Sequence, residues 1–379
     1  MIYLDSAATS LQRPPEVLDA VLNAMQTCAN LGRSGHKPAE SAAEIAYNCR
    51  QEAGELFDCE PDQVVFTMNT THGLNLAIRS IVHAGDQVVI SGFEHNAVVR
   101  VLHKLKAEVF IAGTRLFDPD DTVSAFDRMI TSETKAVICT HVSNVFGYIL
   151  PIQDISEICY SRGVPLIIDA AQSAGSIPVL LRSLRASYIA LPGHKGLLGP
   201  QGTGLLLCAD TPEPLLMGGT GNLSKSLEMP TYLPERMEAG TQNMHGIAGL
   251  LEGIRFVKRT GLSQILSHEH HLVSTLHGGI KDLVQTFYDT KSIQAGVLSF
   301  RAAGFDSENL ASMLADRGFA VRAGLHCAPL AHRSAGTSAN GTVRVSFSIF
   351  NSETDVIVFT ENLKEILIEG KSSARHLLN

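Results

Sequence analysis

One lysine of this chain stands among five glycines. In "LPGHKGLLGPQGTG" (191–204) an apolar run ends at Leu191, and Lys195 follows amid Gly193, Gly196, Gly199, Gly202 and Gly204. Backbone bends are cheap there and a ligand can approach closely, although a glycine-rich turn with a solvated lysine has the same pattern. "LIIDAAQSAG" sets Asp169 at the end of another apolar run, with Gln172 beyond it. Open α/β sheets bind ligands at the carboxyl ends of strands, and a carboxylate there needs a cationic or hydrogen-bonding partner. The plain alternative is an aspartate that caps the next helix. In "FTMNTTHGLNLAI", Asn69, Thr70 and Thr71 precede a helix, where free N–H groups attract a phosphate unless the threonines are ordinary caps. "GFEHNAVV" puts His95 after a further run, a position more often structural than catalytic. "AGLHCAPLAH" (323–332) holds a lone Cys327 between His326 and an Ala-Pro step, either a nucleophile or an unreactive loop thiol.

These residues need a scaffold that gathers strand ends. From Gln63 to about Cys208, "QVVFT", "QVVIS", "AVICTHVSN", "PLIIDAAQ", "ASYIALPGHK" and "TGLLLC" alternate with helix-like segments. The alternation predicts an α/β fold with a largely parallel sheet and crossover helices. Runs apolar on successive residues fit strands covered on both faces. Ahead of them, "PEVLDAVLNAM" repeats apolar side chains at Val17, Leu18, Val21, Leu22 and Met25, after Pro14 and Pro15 as helix-start signals. After about residue 250 come a long helix, the strands "VLSFRA" and "TVRVSFSIF", and helices at 307–317 and 353–369. That is an α+β pattern, as for a smaller second domain. "RSAGTSANG" (333–341), which follows the cysteine, reads as a mobile loop.

The 379 residues are 45% hydrophobic and 18% charged, enough for one large core or two moderate ones. A net charge of −8 without any Lys/Arg-dense segment points to neither nucleic acid nor an anionic membrane. "MIYLDSAATS" has neither a basic leader nor an apolar signal core, so a cytoplasmic protein is expected. Cysteines 28, 49, 59, 139, 159, 208 and 327 include no C-x-x-C pair, and neither disulfides nor structural zinc are expected. In "SHEHHL" (267–272), His268 and His271 could share a helix face, while His270 is out of step with them. With no H-E-x-x-H pattern, this reads as a solvated face and no metal is expected.

Singly, each chemical signal has a plain explanation. Together, a lysine, a strand-end acid, a phosphate-type helix start and a flat ring are the parts that hold pyridoxal phosphate. The remote alternative, a nicotinamide-dependent oxidoreductase or a nucleotide-binding protein, lacks a G-x-G-x-x-G between an early strand and helix. Over nearly its whole length the chain also resembles a known family. "YLDSAATS", "NTTHGLN", "EHNA", "HVSNVFG", "IIDAAQSAG", "GHKGLLGPQGTG", "EAGTQN", "RAGLHCA" and "VRVSFSIFN" match, in order, motifs of class V aminotransferase-fold, pyridoxal-phosphate-dependent cysteine desulfurases and selenocysteine lyases. The R-x-G-x-H-C-A context is similar to the Suf-type, or group II, branch. The resemblance implies fold type I of the pyridoxal-phosphate-dependent transferases. A large domain with a mainly parallel seven-stranded sheet would occupy 16–250, and a small α+β domain 1–15 and 251–379, in a homodimer.

Position by position, the resemblance makes Lys195 the Schiff-base lysine, Asp169 the partner of the pyridine nitrogen and Gln172 a neighbour of the phenolic oxygen. His95 would stack on the ring. Thr70, Thr71 and His194 would hold the phosphate, and Thr241 would reach that of the neighbouring subunit, toward which Arg33 and His36 also extend. Asn144, Arg322 and Arg344 would bind the substrate, L-cysteine or L-selenocysteine. Cys327 would take its sulfur as a persulfide, leaving L-alanine, with His326 or Arg322 favouring the thiolate and a sulfur-acceptor protein taking the sulfur onward. Two positions depart from the family pattern: Pro192 stands where many relatives have a phosphate-binding serine, and Leu325 replaces the first histidine of His-His-Cys. Within the same fold, a class V transaminase or a β-lyase with an incidental Cys327 is the alternative.

Overall fold

The computed structural model describes residues 1–31, 35–221 and 223–376. Its first elements are β1 (Ile2–Tyr3), α1 (Pro15–Thr27), α2 (Lys37–Phe57), β2 (Val64–Thr67), α3 (Thr70–Ile81), β3 (Gln87–Ser91), α4 (Asn96–Leu105), β4 (Glu108–Ala112), α5 (Pro119–Met129), β5 (Thr134–Thr140), α6 (Ile152–Ser161), β6 (Leu166–Asp169), β7 (Tyr188–Pro192) and β8 (Gly204–Cys208). They are followed by α7 (Met244–Thr260), α8 (Leu262–Ile280), β9 (Gln285–Phe287), β10 (Val297–Arg301), α9 (Ser307–Asp316), β11 (Phe319–Ala320), β12 (Arg322–Gly324), α10 (Pro329–Ser334), β13 (Thr342–Ser346) and α11 (Glu353–His376).

Seven strands form one sheet in the order β2-β8-β7-β6-β5-β3-β4. β8 is antiparallel to both neighbours, and the other adjacent pairs are parallel. Helices cover both faces: one core gathers around Phe66, Phe126, Phe146 and Ile168, the other around Leu74, Val88, Ile138 and Leu206. Burial on both faces is why the strand sequences are apolar at successive positions. β4, "EVFIA", escapes that pattern because it is an edge strand, with Glu108, Val109 and Phe110 exposed. The strand order reverses at β3, with β4 to one side and β5, β6 and β7 to the other. Strand ends at such a switch open the crevice in which α/β sheets bind ligands.

A second, antiparallel sheet, β12-β13-β10-β9, shares a core around Leu298, Phe300 and Phe359 with α8, α9 and α11. Leu4 of the N-terminal segment joins this core. α7 instead puts Met244, Ile247, Leu250, Leu251 and Ile254 into the core of the large sheet.

Four local expectations change in the structure. The long helix after about residue 250 is two helices, α7 and α8, broken at Gly261, whose φ of 88° is cheap only for glycine. The stretch 333–341 is tied down where a mobile loop is expected. Buried Thr337 donates its N–H to His332 O at 2.8 Å and pairs through Oγ1 with His332 Nδ1 at 2.7 Å, and Gly341 N–H reaches Thr337 O at 2.9 Å. The apolar repeat of α1 buries Val17, while Leu18, Leu22 and Met25 stay exposed. The histidines of α8 are not a uniformly solvated face. His268 bonds Asn351 O at 2.9 Å, His270 bonds Gln294 O at 3.1 Å and His271 bonds Glu353 Oε1 at 2.5 Å.

Among the described residues there is no cluster of three metal-ligating side chains and no helix long and apolar enough to cross a membrane. Arg33 lies outside the described residues, and His36 caps α2 by accepting Ala39 N–H at 3.3 Å.

Candidate active site

A cavity of about 300 Å³ opens at the carboxyl ends of the parallel strands, facing β12 and β13 of the small sheet. It brings together Thr70, Thr71, His95, Asn144, Asp169, Gln172, His194, Lys195, Arg322, Cys327 and Arg344. Thr241 is not in its wall; it lines an adjoining hollow with Met68, His72 and Gly202. Pro192, one of the two departures, closes β7 and stays out of the cavity wall.

Lys195 follows β7 in a turn packed backbone against backbone. A Cβ on Gly196 would lie 2.3 Å from Ala174 O, and one on Gly175 would lie 2.3 Å from Gly196 C. The close approach that requires glycine here is to another chain segment. Ser10 Oγ donates to Lys195 O at 2.8 Å, and Ser10 N–H to His194 O at 2.9 Å. The backbone is anchored, while Nζ makes no hydrogen bond among the described residues. Burial pulls the amine down to about 8, with Asp169 working against the shift and Arg344 and Arg322 adding to it. Asp169 ends β6 fully buried, and its Oδ1 accepts Ala171 N–H at 2.9 Å. Burial raises this carboxyl, opposed by that N–H and by Lys195. Gln172 lies beside it and donates Nε2–H to Ala7 O at 2.9 Å.

The cap of α3 is Asn69, whose Oδ1 accepts His72 N–H at 2.9 Å. The threonines are therefore not the cap, and Thr70 Oγ1 is buried at the helix start without a partner. His194 Nδ1 lies 3.1 Å from Thr9 Oγ1, and burial beside Lys195 lowers the ring to about 4. His95 is structural and also faces the cavity: its Nδ1 caps α4 by accepting Ala97 N–H at 3.0 Å, and its ring is in the wall. That hydrogen bond assigns the proton of the neutral ring to Nε2. Burial, then the charge of Lys195, lowers His95 to about 4.

Arg344 of β13 is 1% exposed. Its Nη2 pairs with Asp5 Oδ1 at 2.6 Å, its Nη1 donates to Asn144 O at 2.9 Å, and its Nε is unpartnered. Asn144 continues the chain of contacts, donating Nδ2–H to His326 O at 2.8 Å.

Cys327 sits in the turn Leu325–Ala328, closed by Ala328 N–H to Leu325 O at 2.9 Å. Both central residues have positive φ, 48° at His326 and 56° at Cys327. That sign pattern belongs to type I′ turns and is usually left to Gly, Asn or Asp. Asn96 N–H holds Cys327 O at 2.8 Å, which ties the turn to the start of α4 beside His95. The thiol is exposed, whereas Cys49, Cys59, Cys139, Cys159 and Cys208 are buried and Cys28 is half-buried. Burial pushes the Cys139 and Cys208 thiols well above their ordinary range.

The expectation that His326 could supply positive charge to the thiol is corrected. The ring is buried, and burial with the charge of Arg344 lowers it to about 2, so it is neutral. Arg322, exposed on β12 opposite Arg344, is left as the nearby cation. The other departure, Leu325, presents a half-exposed apolar side chain before the turn.

Sequence reasoning passes over the individual roles of Asp5, Ala7 and Ser10, whose partners lie 339, 165 and 185 residues away. Their available signal is a run of acid, hydroxyl and small residues after a short apolar pair. Glu94, next to His95, is also missed. The residues that are present fit pyridoxal phosphate: an unpartnered hydroxyl at a helix start, a buried strand-end carboxyl and a lysine amine without a partner.

Comparison with known proteins gives concordant results. The class-V aminotransferase family model matches residues 2–359. A probable cysteine desulfurase of Pyrococcus abyssi is 33% identical, over 98% of this chain and 96% of that protein. The apo structure of a cysteine desulfurase from Thermococcus onnurineus NA1 superposes with a TM-score of 0.88 at 31% identity, covering 97% of this chain and 95% of that one. The cysteine desulfurase CsdA of Escherichia coli, in an S-sulfonic acid form, gives 0.83 at 25% identity, covering 97% and 94%.

Proposed function

The chain belongs to the class V aminotransferase family, and from that premise we propose that it is a pyridoxal-phosphate-dependent cysteine desulfurase that moves the sulfur of L-cysteine onto Cys327 and leaves L-alanine. When bound, pyridoxal phosphate supplies an electron-withdrawing ring that stabilises negative charge at the substrate α-carbon.

The chain's own residues do the rest. Lys195, brought to about 8 by burial, has both protonation states within reach near neutrality, as a group that takes and returns the α-proton requires. Asp169 would pair with the ring nitrogen, His95 would cover the ring, and Thr70, Thr71 and His194 would hold the phosphate. Arg344, steadied by Asp5 and Asn144 O, presents its guanidinium to the substrate carboxylate, and Asn144 links that site to the cysteine turn. The Cys327 thiolate forms an S–S bond to the substrate sulfur as the substrate's C–S bond breaks. The bonding pair stays on carbon, which takes a proton to become the methyl group of alanine.

The observation that carries this reading is the exposed thiol of Cys327, held in a tight turn in the wall that also contains Lys195 and Asp169. Its exposure supports onward transfer to an acceptor protein, and a free reactive thiol suits a reducing cytoplasm. Thr241 stands outside this chain's cavity, and would reach a cofactor phosphate only in the site of a second copy. The exposed Leu18, Leu22 and Met25 of α1 are apolar surface of the kind an interface covers.

Cys327→Ala is expected to keep the visible cofactor spectrum and lose alanine production from cysteine, and the wild-type tryptic peptide containing residue 327 to gain one sulfur under limiting reductant. Full alanine production by the variant, or a persulfide on Cys139 or Cys208, would overturn the reading.

A further inference from the structure

Glu94 lies in the turn between β3 and α4, immediately before His95, and is fully buried. Its Oε1 accepts Ser91 Oγ–H from the end of β3 and Thr140 N–H, at 2.7 Å, from the end of β5. Thr140 is the register partner of Asp169 on β6. One side-chain oxygen thus joins the two strands at which the sheet order switches, one strand away from the acid of the site.

The other oxygen, Oε2, is buried with no partner. A carboxylate left half-unpaired in such a place is costly, whereas the same oxygen on a neutral acid is much less so. The charges around it point the same way. Asp169 faces Glu94 from β6, and Cys139 faces it from β5 with its thiol pushed well above its ordinary range. Lys195, the half-buried lysine after β7, acts on Asp169 and is not among the groups that stabilise an ionised Glu94. Burial, reinforced by the charge of Asp169, raises Glu94 to about 8 despite its hydrogen bonds to Ser91 and Thr140.

We propose that Glu94 is a positioning residue of the active site: an uncharged buried acid that binds the ends of β3 and β5 together and leaves Asp169 as the single anion beneath the cofactor ring. The proposal rests on the reading of Asp169 as the acid that faces that ring.

Thermal unfolding of the cofactor-free protein tests the charge state. Below about 4.5, the ordinary value for glutamate, Glu94 is protonated in both the folded and the unfolded chain. Between 4.5 and about 8 the unfolded chain ionises and the folded one does not, so wild type loses stability as pH rises. E94Q has no such loss. Its Tm relative to wild type should climb across that window and level off above it, whatever constant offset the amide introduces. A difference independent of pH, or one that falls as pH rises, would overturn the proposal.

Equilibrium dialysis with pyridoxal phosphate tests positioning. E94A should bind at least tenfold more weakly, and E94Q should recover most of that loss; equal weakness in both variants would also overturn it. D169N serves as the control: if it binds the cofactor as wild type does, the reading of Asp169 fails, while the pH slope of E94Q still reports on Glu94.

Discussion

The two nucleophilic side chains of the cavity are held in opposite ways. Lys195 stands at the end of a buried parallel strand, in a turn whose glycines touch other backbone. Partial desolvation there lowers the amine, and full burial raises Asp169 nearby. Cys327 stands on an exposed turn leading out of the small sheet, its backbone in a conformation that side chains rarely adopt, pinned by Asn96 N–H and the Asn144–His326 contact. Proton transfer at carbon benefits from the tuned pKa values that desolvation produces. Sulfur transfer needs a thiol that can meet the substrate inside and an acceptor outside. The chain solves the first with a packed core and the second with a constrained loop.

The comparison breaks most visibly at the lysine. Lys195→Ala should lower turnover by a factor on the order of 10⁴ or more, since general acid–base catalysis alone supplies about 10²–10⁴ and the covalent anchor is lost with it. Borohydride treatment followed by peptide mapping checks the assignment, because the pyridoxyl label must appear on Lys195 in wild type and on no lysine in the variant. A label on another lysine would relocate the buried half of the site.

A smaller effect is expected at the join between the halves. Arg344→Lys replaces a planar fork with a point charge, and the KM for cysteine should rise about ten- to hundredfold, as for a lost hydrogen bond to a charge of roughly 1.5–3 kcal/mol, with cofactor content little changed. Asp5→Asn should shift KM in the same direction by less, because the fork stays but loses the 2.6 Å ion pair that orients it. An unchanged KM in Arg344→Lys would place the carboxylate site elsewhere.

The smallest effect sharpens the contrast in backbone. Cys327→Gly should be more stable than Cys327→Ala by about 1 kcal/mol, since a positive φ strains any residue with a Cβ and not glycine. Thermal unfolding of the two variants measures it, and equal Tm values would remove the strained-turn description.

Much of the fold is legible because its causes are local. Strands buried on both faces must be apolar at successive residues, so β2, β3, β5, β6, β7 and β8 can be read directly from the sequence. β4 cannot, because exposed Glu108, Val109 and Phe110 mix strand and surface signals. The break at Gly261 is hidden inside a continuous helical periodicity, since one glycine in a helix is tolerable until its φ turns positive. The tied-down 333–341 stretch misleads for a similar reason: glycine and serine serve tight turns as well as free loops, and only the buried contacts of Thr337 with His332 distinguish the two.

By itself the sequence determined which residue types stand at strand ends and helix starts: Lys195 among glycines, Asp169 after an apolar run, Asn69 and the threonines at the start of α3, and Cys327 ahead of a proline. Those placements follow from periodicity, capping and turn chemistry, which act over a few residues. Tertiary structure alone decided that Asp5 meets Arg344, that Ser10 anchors the Lys195 turn and that Thr241 stands outside this chain's cavity. It also decided charge. His326 looks from sequence like a cation beside the thiol, and Glu94 draws no notice there, yet burial pushes both toward the neutral form. A side chain's charge depends on how much water the packed fold removes and on which distant groups it brings near, and neither is written in the residues next to it.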